Sequence, residues 1–145
     1  MKKCRILWLF FAIALVLSAV SCTKYSVSED QLVGRWQLES YQCKEYDKDG
    51  RLVLDVTYHS PNPLILTTIL LNSDGTGVCE DKSNDSYYVD EGNWYFSDKK
   101  ITMTMSPVDI ETFDVISVTS KELNLHGKEV WDDVTVEVEL LFKRI

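Results

Sequence analysis

Hydrophobic and polar residues alternate with a period of two through most of the chain beyond residue 31. In the last segment, every second residue from Val134 to Phe142 is apolar, and the residues between them are mostly polar. The same alternation runs from Ile101 to Met105. A period of two places the apolar side chains on one face of a strand, and no segment beyond residue 31 sustains the 3.6-residue period of an amphipathic helix. The pattern therefore predicts an all-β domain.

Turn-forming residues separate the predicted strands. Asp49-Gly50, Ser73-Asp74-Gly75 and Ser97-Asp98-Lys99-Lys100 are typical of tight turns. Further strands are predicted at 35–46, 52–58, 64–71, 76–81, 87–97 and 113–118. Short strands joined by tight turns are typical of an antiparallel sandwich or of an up-and-down barrel, and periodicity alone does not choose between the two.

The first 21 residues differ in composition from the rest. Three of the first five residues are basic, an apolar run extends from Ile6 to Leu17, and small residues precede Cys22. This order predicts a secretory signal peptide at residues 1–21. An uncleaved membrane helix is the alternative, but the apolar run is shorter than the roughly 20 residues that span a bilayer.

The segment Ala19-Val20-Ser21-Cys22 resembles the lipobox of bacterial lipoproteins, although Ala19 stands where Leu is usual. The resemblance implies that Cys22 carries lipid and anchors the chain to a membrane. A secreted protein with a chance cysteine is the alternative. We expect residues 22–31 to form the lipidated Cys and a flexible tether, and residues 32–145 to form one domain. Because Thr23 is not acidic, the expected location is the cell envelope, on the outer membrane, facing either the periplasm or the surface.

The charge of the exported part argues against some partners. The predicted signal removes Lys2, Lys3 and Arg5, which leaves 12 of the 15 basic side chains against 23 acidic ones. Nucleic acids and anionic lipid surfaces are bound through clustered Lys and Arg. We therefore expect no nucleic-acid partner.

Two further cysteines, Cys43 and Cys79, remain in the predicted domain. An oxidising compartment allows a disulfide between them. A bridge needs Cα atoms about 4.4–6.8 Å apart, which a sequence does not show. A disulfide and two separate thiols both remain open.

No motif for catalysis or metal binding stands out. Residues 45–50 begin like a calcium loop, but Val56 occupies the twelfth position, where a bidentate Glu is required. His59 and His126 stand alone, and no nucleophile, base and orienting group can be recognised together. The sequence therefore predicts no metal, no cofactor and no enzyme activity.

Several segments together resemble the lipocalin-like lipoproteins of Gram-negative gut bacteria. The domain opens with Leu32-Val33-Gly34-Arg35-Trp36, and Gly92-Asn93-Trp94 follows in the middle. The segments 71–77, 119–123 and 141–145 also match in order. The resemblance implies an antiparallel up-and-down β-barrel of about eight strands, with Gly34, Trp36, Gly92 and Trp94 as its barrel-closing motif. An insert at 47–63 departs from the pattern and leaves the strand count open.

Such a barrel is a cup that either holds a small apolar ligand or is filled by its own side chains. The first case predicts a binding protein, with residues facing inward as the pocket lining. These are Leu66, Leu70, Met103, Met105, Phe113 and Val136. The second case predicts an interaction module for an envelope protein, with an exposed apolar patch near Trp131 or Tyr87-Tyr88.

Overall fold

The computed structural model describes residues 26–60, 67–83 and 86–145. Among the predicted site residues, Cys22 and Leu66 lie outside this part of the chain, as does the whole predicted signal peptide at residues 1–21. One short helix and nine strands follow in order: α1 (Glu29–Leu32), β1 (Gly34–Tyr46), β2 (Leu52–His59), β3 (Thr67–Leu71), β4 (Thr76–Ser83), β5 (Ser86–Ser97), β6 (Lys100–Met103), β7 (Thr112–Val118), β8 (Glu122–Trp131) and β9 (Val134–Arg144).

Eight of the strands form a closed antiparallel barrel. β1 is hydrogen-bonded to β3 on one edge and to β9 on the other, and β3 to β9 follow one another in chain order between them. Closure satisfies the backbone of both edges, which an open sheet would leave unpaired. The structure thus confirms the all-β prediction and chooses the barrel over the sandwich.

The insert at 47–63 accounts for the ninth strand. β2 folds back on β1 after a turn at residues 47–51 and pairs with residues 40–46 of β1. β3 pairs with residues 34–37 of the same edge. The two strands therefore share one side of β1, and β2 lengthens the wall at the end where β1 finishes.

The barrel has a closed end and an open end. α1 lies at the closed end, where Leu32 is completely buried and Val27 packs against the core. The chain is therefore ordered from before Glu29, so the predicted tether at 22–31 is wrong over its last residues. No helix in the described part of the chain is long and apolar enough to cross a membrane.

In the part of the chain that the structure describes, the barrel strands, the capping helix and the core cluster all lie between residues 26 and 145. The sheet closes on itself between its first and last strands. A closed sheet leaves no free edge for a further strand, so we expect residues 26–145 to fold as a unit.

Between β6 and β7 the chain turns into the barrel. Met105 and Ile110 are almost fully buried, and Met105 packs over Gly77 and Gly92, which face each other on β4 and β5. A Cβ atom at Gly77 would collide with the Met105 side chain, and one at Gly92 with the Thr104 hydroxyl. The two glycines thus make a hollow in the wall that the entering segment fills.

Candidate functional site

The open end of the barrel contains a cavity of about 340 Å³. Its walls come from the inward faces of β1 and β9, from the segment between β6 and β7, and from the end of β8. The lining residues are Tyr41, Cys43, Glu45, Pro107, Val108, Asp109, Ile110, Trp131, Val136 and Val138. Another hollow, of about 350 Å³, lies on the outer surface between Tyr46 and Lys128 and does not enter the barrel.

The register of three neighbouring strands builds the main wall of this cavity. Val138 lies directly between Cys43 of β1 and Gly127 of β8, and Val136 lies between Glu45 and Glu129 in the same way. Residues directly opposite one another in antiparallel strands point to the same face. The wall is therefore apolar towards the barrel floor and acidic at the mouth.

Tyr41 contributes an aromatic surface next to Cys43. Its ring stacks on that of Tyr58 of β2, with ring centroids 6.2 Å apart and an angle of 10° between the planes. Burial raises the pKa of Tyr41 above its ordinary value, and its contact with Cys43 and the negative charge of Glu45 act in the same direction. Tyr41 is therefore a neutral hydrogen-bonding group at physiological pH.

Trp131 forms part of the rim. Its side chain is 42% exposed, and its Nε1 donates a hydrogen bond to the Glu129 carboxylate at 2.9 Å. The hairpin turn that follows has positive φ at both Asp132 and Asp133. Trp131 therefore lines the cavity while remaining partly exposed to solvent.

The closed end is sealed by Gly34, Trp36 and Arg144. The Arg144 guanidinium stacks on the Trp36 ring, 4.0 Å from its centroid, and occupies the space that a Cβ at Gly34 would need. It also donates hydrogen bonds to the carbonyls of Val33 (2.8 Å) and Gln31 (2.7 Å). Trp36 donates its own Nε1 proton to the Leu32 carbonyl at 2.8 Å. The contacts tie the end of α1 to the first and last strands.

Trp94 has a similar place on β5. It is almost fully buried, and its Nε1 donates to the Asn72 carbonyl at 3.0 Å. It thereby fixes the turn between β3 and β4. Gly92, two residues earlier, serves a different purpose, since its hollow receives the segment that enters the barrel.

The structure distributes the predicted pocket residues unevenly. Val136 lines the cavity, whereas Met103, Met105 and Phe113 are completely buried in the filled half of the barrel. Leu70 is only half-buried, and the prediction that it faces inward is wrong.

The error at Leu70 is one residue in register. Its neighbours Ile69 and Leu71 are the buried residues of β3, and in a strand a shift of one residue exchanges the two faces. The segment 64–71 is apolar except for Thr67 and Thr68 and offers no regular alternation from which the inward face could be read. Sequence reasoning also missed Tyr41 and Cys43, whose part in the cavity depends on the register of β1 against β9. It missed the segment 107–110 because its part depends on the entry of a loop into the barrel.

Cys43 and Cys79 are both buried free thiols, so the disulfide considered for them is not formed. The strand β3 lies between the two thiols: Cys79 of β4 lies opposite Ile69 of β3, and Ile69 lies opposite Trp36 of β1. Trp36 precedes Cys43 by seven residues along β1. Burial raises the pKa of Cys79 to about 12, and the negative charges of Asp81, Asp90 and Glu80 add to the shift. The thiol is therefore protonated and inert at neutral pH.

Among the described residues, no group of three His, Cys, Asp or Glu side chains is arranged to hold a metal ion. Two of the three carboxylates of the calcium-like segment, those of Asp47 and Asp49, are paired with an arginine. Arg51 binds Asp47 at 3.0 Å and Asp49 at 2.5 Å, and Asp47 also accepts hydrogen bonds from the backbone of Asp49 and Arg51. The segment is a hairpin turn held by an arginine.

Comparison with known proteins identifies the class. A family model described as a lipocalin-like domain matches residues 32–125, so the chain belongs to this family, as the sequence resemblance implied. Among solved structures, the chain is similar to bovine odorant binding protein in complex with a selenium-containing odorant: 13% identity over 87% of this chain and 78% of that chain, with a TM-score of 0.47. It is also similar to the complex of bovine odorant binding protein with undecanal: 14% identity over 86% and 77% of the two chains, with a TM-score of 0.47. No curated protein matches the sequence.

Proposed function

We propose that this protein is a lipid-anchored, non-catalytic binding protein of the bacterial cell envelope that holds a small, mainly apolar ligand at the open end of its barrel. The observation that carries the proposal is the cavity of about 340 Å³ above a filled floor. Ligand pockets in proteins measure about 300–1,000 Å³ and combine apolar walls with a few polar groups. This cavity is at the small end of that range and has the same kind of lining.

The construction of the barrel supports this use. Trp36, Met105 and Phe113 fill the closed half, so a ligand has room only near the mouth. The apolar walls of Val136, Val138 and Ile110 would remain in place without a ligand, because the strands and the buried segment behind them fix their positions. A preformed site of this kind loses little entropy on binding.

The location rests on the amino-terminal segment. The basic start, the apolar run and the lipobox-like residues before Cys22 support export and lipid attachment. Several acyl chains on one residue would give a stable anchor, since each buried CH₂ contributes about 0.8 kcal/mol. The proposed location is the outer membrane.

The ligand site can be tested with residues 26–145 and the neutral apolar probe N-phenyl-1-naphthylamine. We expect the fluorescence of the probe to rise on binding. Val136→Trp should abolish this rise by filling the cavity. Val130→Trp is the matched control, because Val130 lies on the outer face of β8 and is 66% exposed. No binding by the unaltered protein, or equal binding by both variants, would contradict a ligand in this cavity.

A second candidate function is an interaction module for an envelope protein. It is favoured by exposed apolar side chains on β2 and β5, namely Leu52, Val53, Tyr87 and Tyr88. Exposed apolar surface of this kind marks protein contacts when it is contiguous. A photo-crosslinking amino acid at Val53 in living cells would capture a defined partner in this case, and the same residue at exposed Glu122 would not.

A further inference from the structure

We propose that the ligand of this cavity carries a positive charge, as an amine or a quaternary ammonium group, at one end of an apolar body. The inference rests on the proposed function and names the chemical class of the ligand. The observation behind it is the distribution of charged side chains between the inside and the outside of the barrel's open half.

Carboxylates gather around the mouth of the cavity. Glu45 and Asp109 line the cavity, and Glu129 lies on the same face as Glu45, on the other side of Val136. The Glu129 carboxylate also holds the Trp131 ring at the rim. A positive group at the mouth would therefore meet negative charge from β1, from β8 and from the segment between β6 and β7.

Another part of the barrel wall, outside the cavity lining, also carries carboxylates. Asp81 and Asp90 lie on β4 and β5, on the same face as buried Cys79. The Asp81 Oδ1 atom is buried and has no hydrogen-bond donor in the described part of the protein. A buried carboxylate oxygen without a donor is costly, and it adds to the negative potential inside the barrel.

Basic side chains near this end lie on the outside. Lys44, Lys82 and Lys128 each lie next to an inward-facing residue of the same strand, so their side chains point outward. Lys128 forms an ion pair with Glu137 on this outer face, at 2.7 Å. Arg51 is held by two aspartates in the turn after β1. In the described strands, no Lys or Arg points into the open half. An anionic ligand would have no counter-ion there, whereas a cationic one would have several.

Aromatic rings complete the match. Trp131 lies at the rim, and the stacked rings of Tyr41 and Tyr58 flank the wall. A cation over an aromatic face gains about 0.5–2 kcal/mol, most when it is removed from water. The positive group would therefore sit at the mouth between Glu45, Asp109 and Trp131, with the apolar body against Val136, Val138 and Ile110.

The test compares three probes that share one alkyl chain: decyltrimethylammonium, decanol and decanoate. Each is titrated by calorimetry, below its micelle concentration, into residues 26–145. We expect the cation to bind at least about tenfold more tightly than decanol, which corresponds to about 1.4 kcal/mol, and decanoate to bind most weakly. Equal binding of all three would overturn the cation preference and leave the proposed function standing. Binding of none would remove the proposed function itself.

Variants locate the effect. Glu45→Gln and Asp109→Asn should each weaken decyltrimethylammonium binding several-fold while leaving decanol binding unchanged, which also shows that the variants are folded. Glu122→Gln removes an exposed carboxylate at the closed end and should change neither. Val136→Trp should abolish both. Unchanged cation affinity in Glu45→Gln and Asp109→Asn, or cation binding that survives Val136→Trp, would assign the binding to the acidic surface and overturn the inference.

Discussion

Single residues decide how the closed end of the barrel is sealed. Gly34 leaves the space that the Arg144 guanidinium occupies, and Trp36 provides the ring on which it stacks. The same guanidinium satisfies two carbonyls near the end of α1. Gly34 and Trp36 are recognisable in the sequence, but Arg144 is 108 positions after Trp36 and only the fold brings it to them.

Replacing Arg144 by Met tests this contact. The variant keeps much of the packing on Trp36 but leaves two carbonyls without a charged donor. We expect the free energy of unfolding to fall by about 2–4 kcal/mol, measured by urea denaturation. Lys143→Met is the control, since Lys143 is half-exposed and its ion pair with Glu39 is worth less than about 1 kcal/mol. Similar losses in the two variants would refute a special role for Arg144.

Cys79 makes the stability of the barrel depend on pH. Its pKa rises from an ordinary 9.0 to about 12 in the folded protein. Between these values the unfolded thiol loses its proton while the folded thiol keeps it, so the free energy of unfolding falls as the pH rises above about 9.

Cys79→Ala removes this contribution. We expect the unfolding free energy to fall by about 1–2 kcal/mol less between pH 8 and pH 10.5 in this variant than in the unaltered protein. Comparing the change with pH separates the titration from the constant cost of the smaller side chain. Parallel pH profiles in urea denaturation would show that Cys79 does not titrate in this way.

At the scale of the element, two hairpins have turns that are unfavourable for the residues they contain. Asp98 and Lys99 join β5 to β6, and Asp132 and Asp133 join β8 to β9, all four with positive φ. Two-residue hairpin turns of this kind favour Asn-Gly or Gly-Gly. The sequence predicted the first turn from its polar residues, but it gave no sign of positive φ, since no glycine is present.

Glycine should therefore stabilise these turns. We expect Lys99→Gly and Asp133→Gly each to raise the free energy of unfolding by roughly 0.5–1 kcal/mol, because glycine adopts positive φ without steric cost. Ser73→Gly is the control: Ser73 lies in the turn after β3 without positive φ, and the change should lower stability by a few tenths of a kcal/mol or more. Thermal unfolding would measure all three, and a loss of stability in both hairpin variants would contradict the expectation.

The end of β6 shows a limit of periodicity. The alternation from Ile101 to Met105 predicts a strand throughout, yet β6 ends at Met103 and Met105 packs inside the barrel against Gly77. The apolar side chain is buried in either case. The alternation of apolar and polar residues therefore does not reveal where the chain leaves the sheet.

At the scale of the whole molecule, the proposed lipid anchor on Cys22 would place the barrel at a membrane. Cys22→Ala should move the protein from the membrane fraction to the soluble fraction of the cell envelope and abolish labelling by an alkyne-tagged fatty acid. Cys43→Ala, which changes a buried thiol in the barrel, should retain both properties. Labelling that persists in Cys22→Ala would place the lipid elsewhere or exclude the proposed anchor.

The fold class was accessible from the sequence because it depends on local patterns. Alternation such as that from Val134 to Phe142 identifies a strand with one buried face, and turn residues separate neighbouring strands. The family motif around Gly34 and Trp36 then favoured a barrel. Each of these signals lies within a few residues of chain.

Only the tertiary structure decided where the cavity is and what charge surrounds it. Glu45, Val136 and Glu129 come from three strands and form one row through their register, and Asp109 joins them because the segment after β6 folds inward. By itself, the sequence determined an acidic, all-β domain behind a signal-like segment. Whether its carboxylates face solvent or the barrel interior depends on pairings between distant residues, and a linear pattern does not contain those pairings.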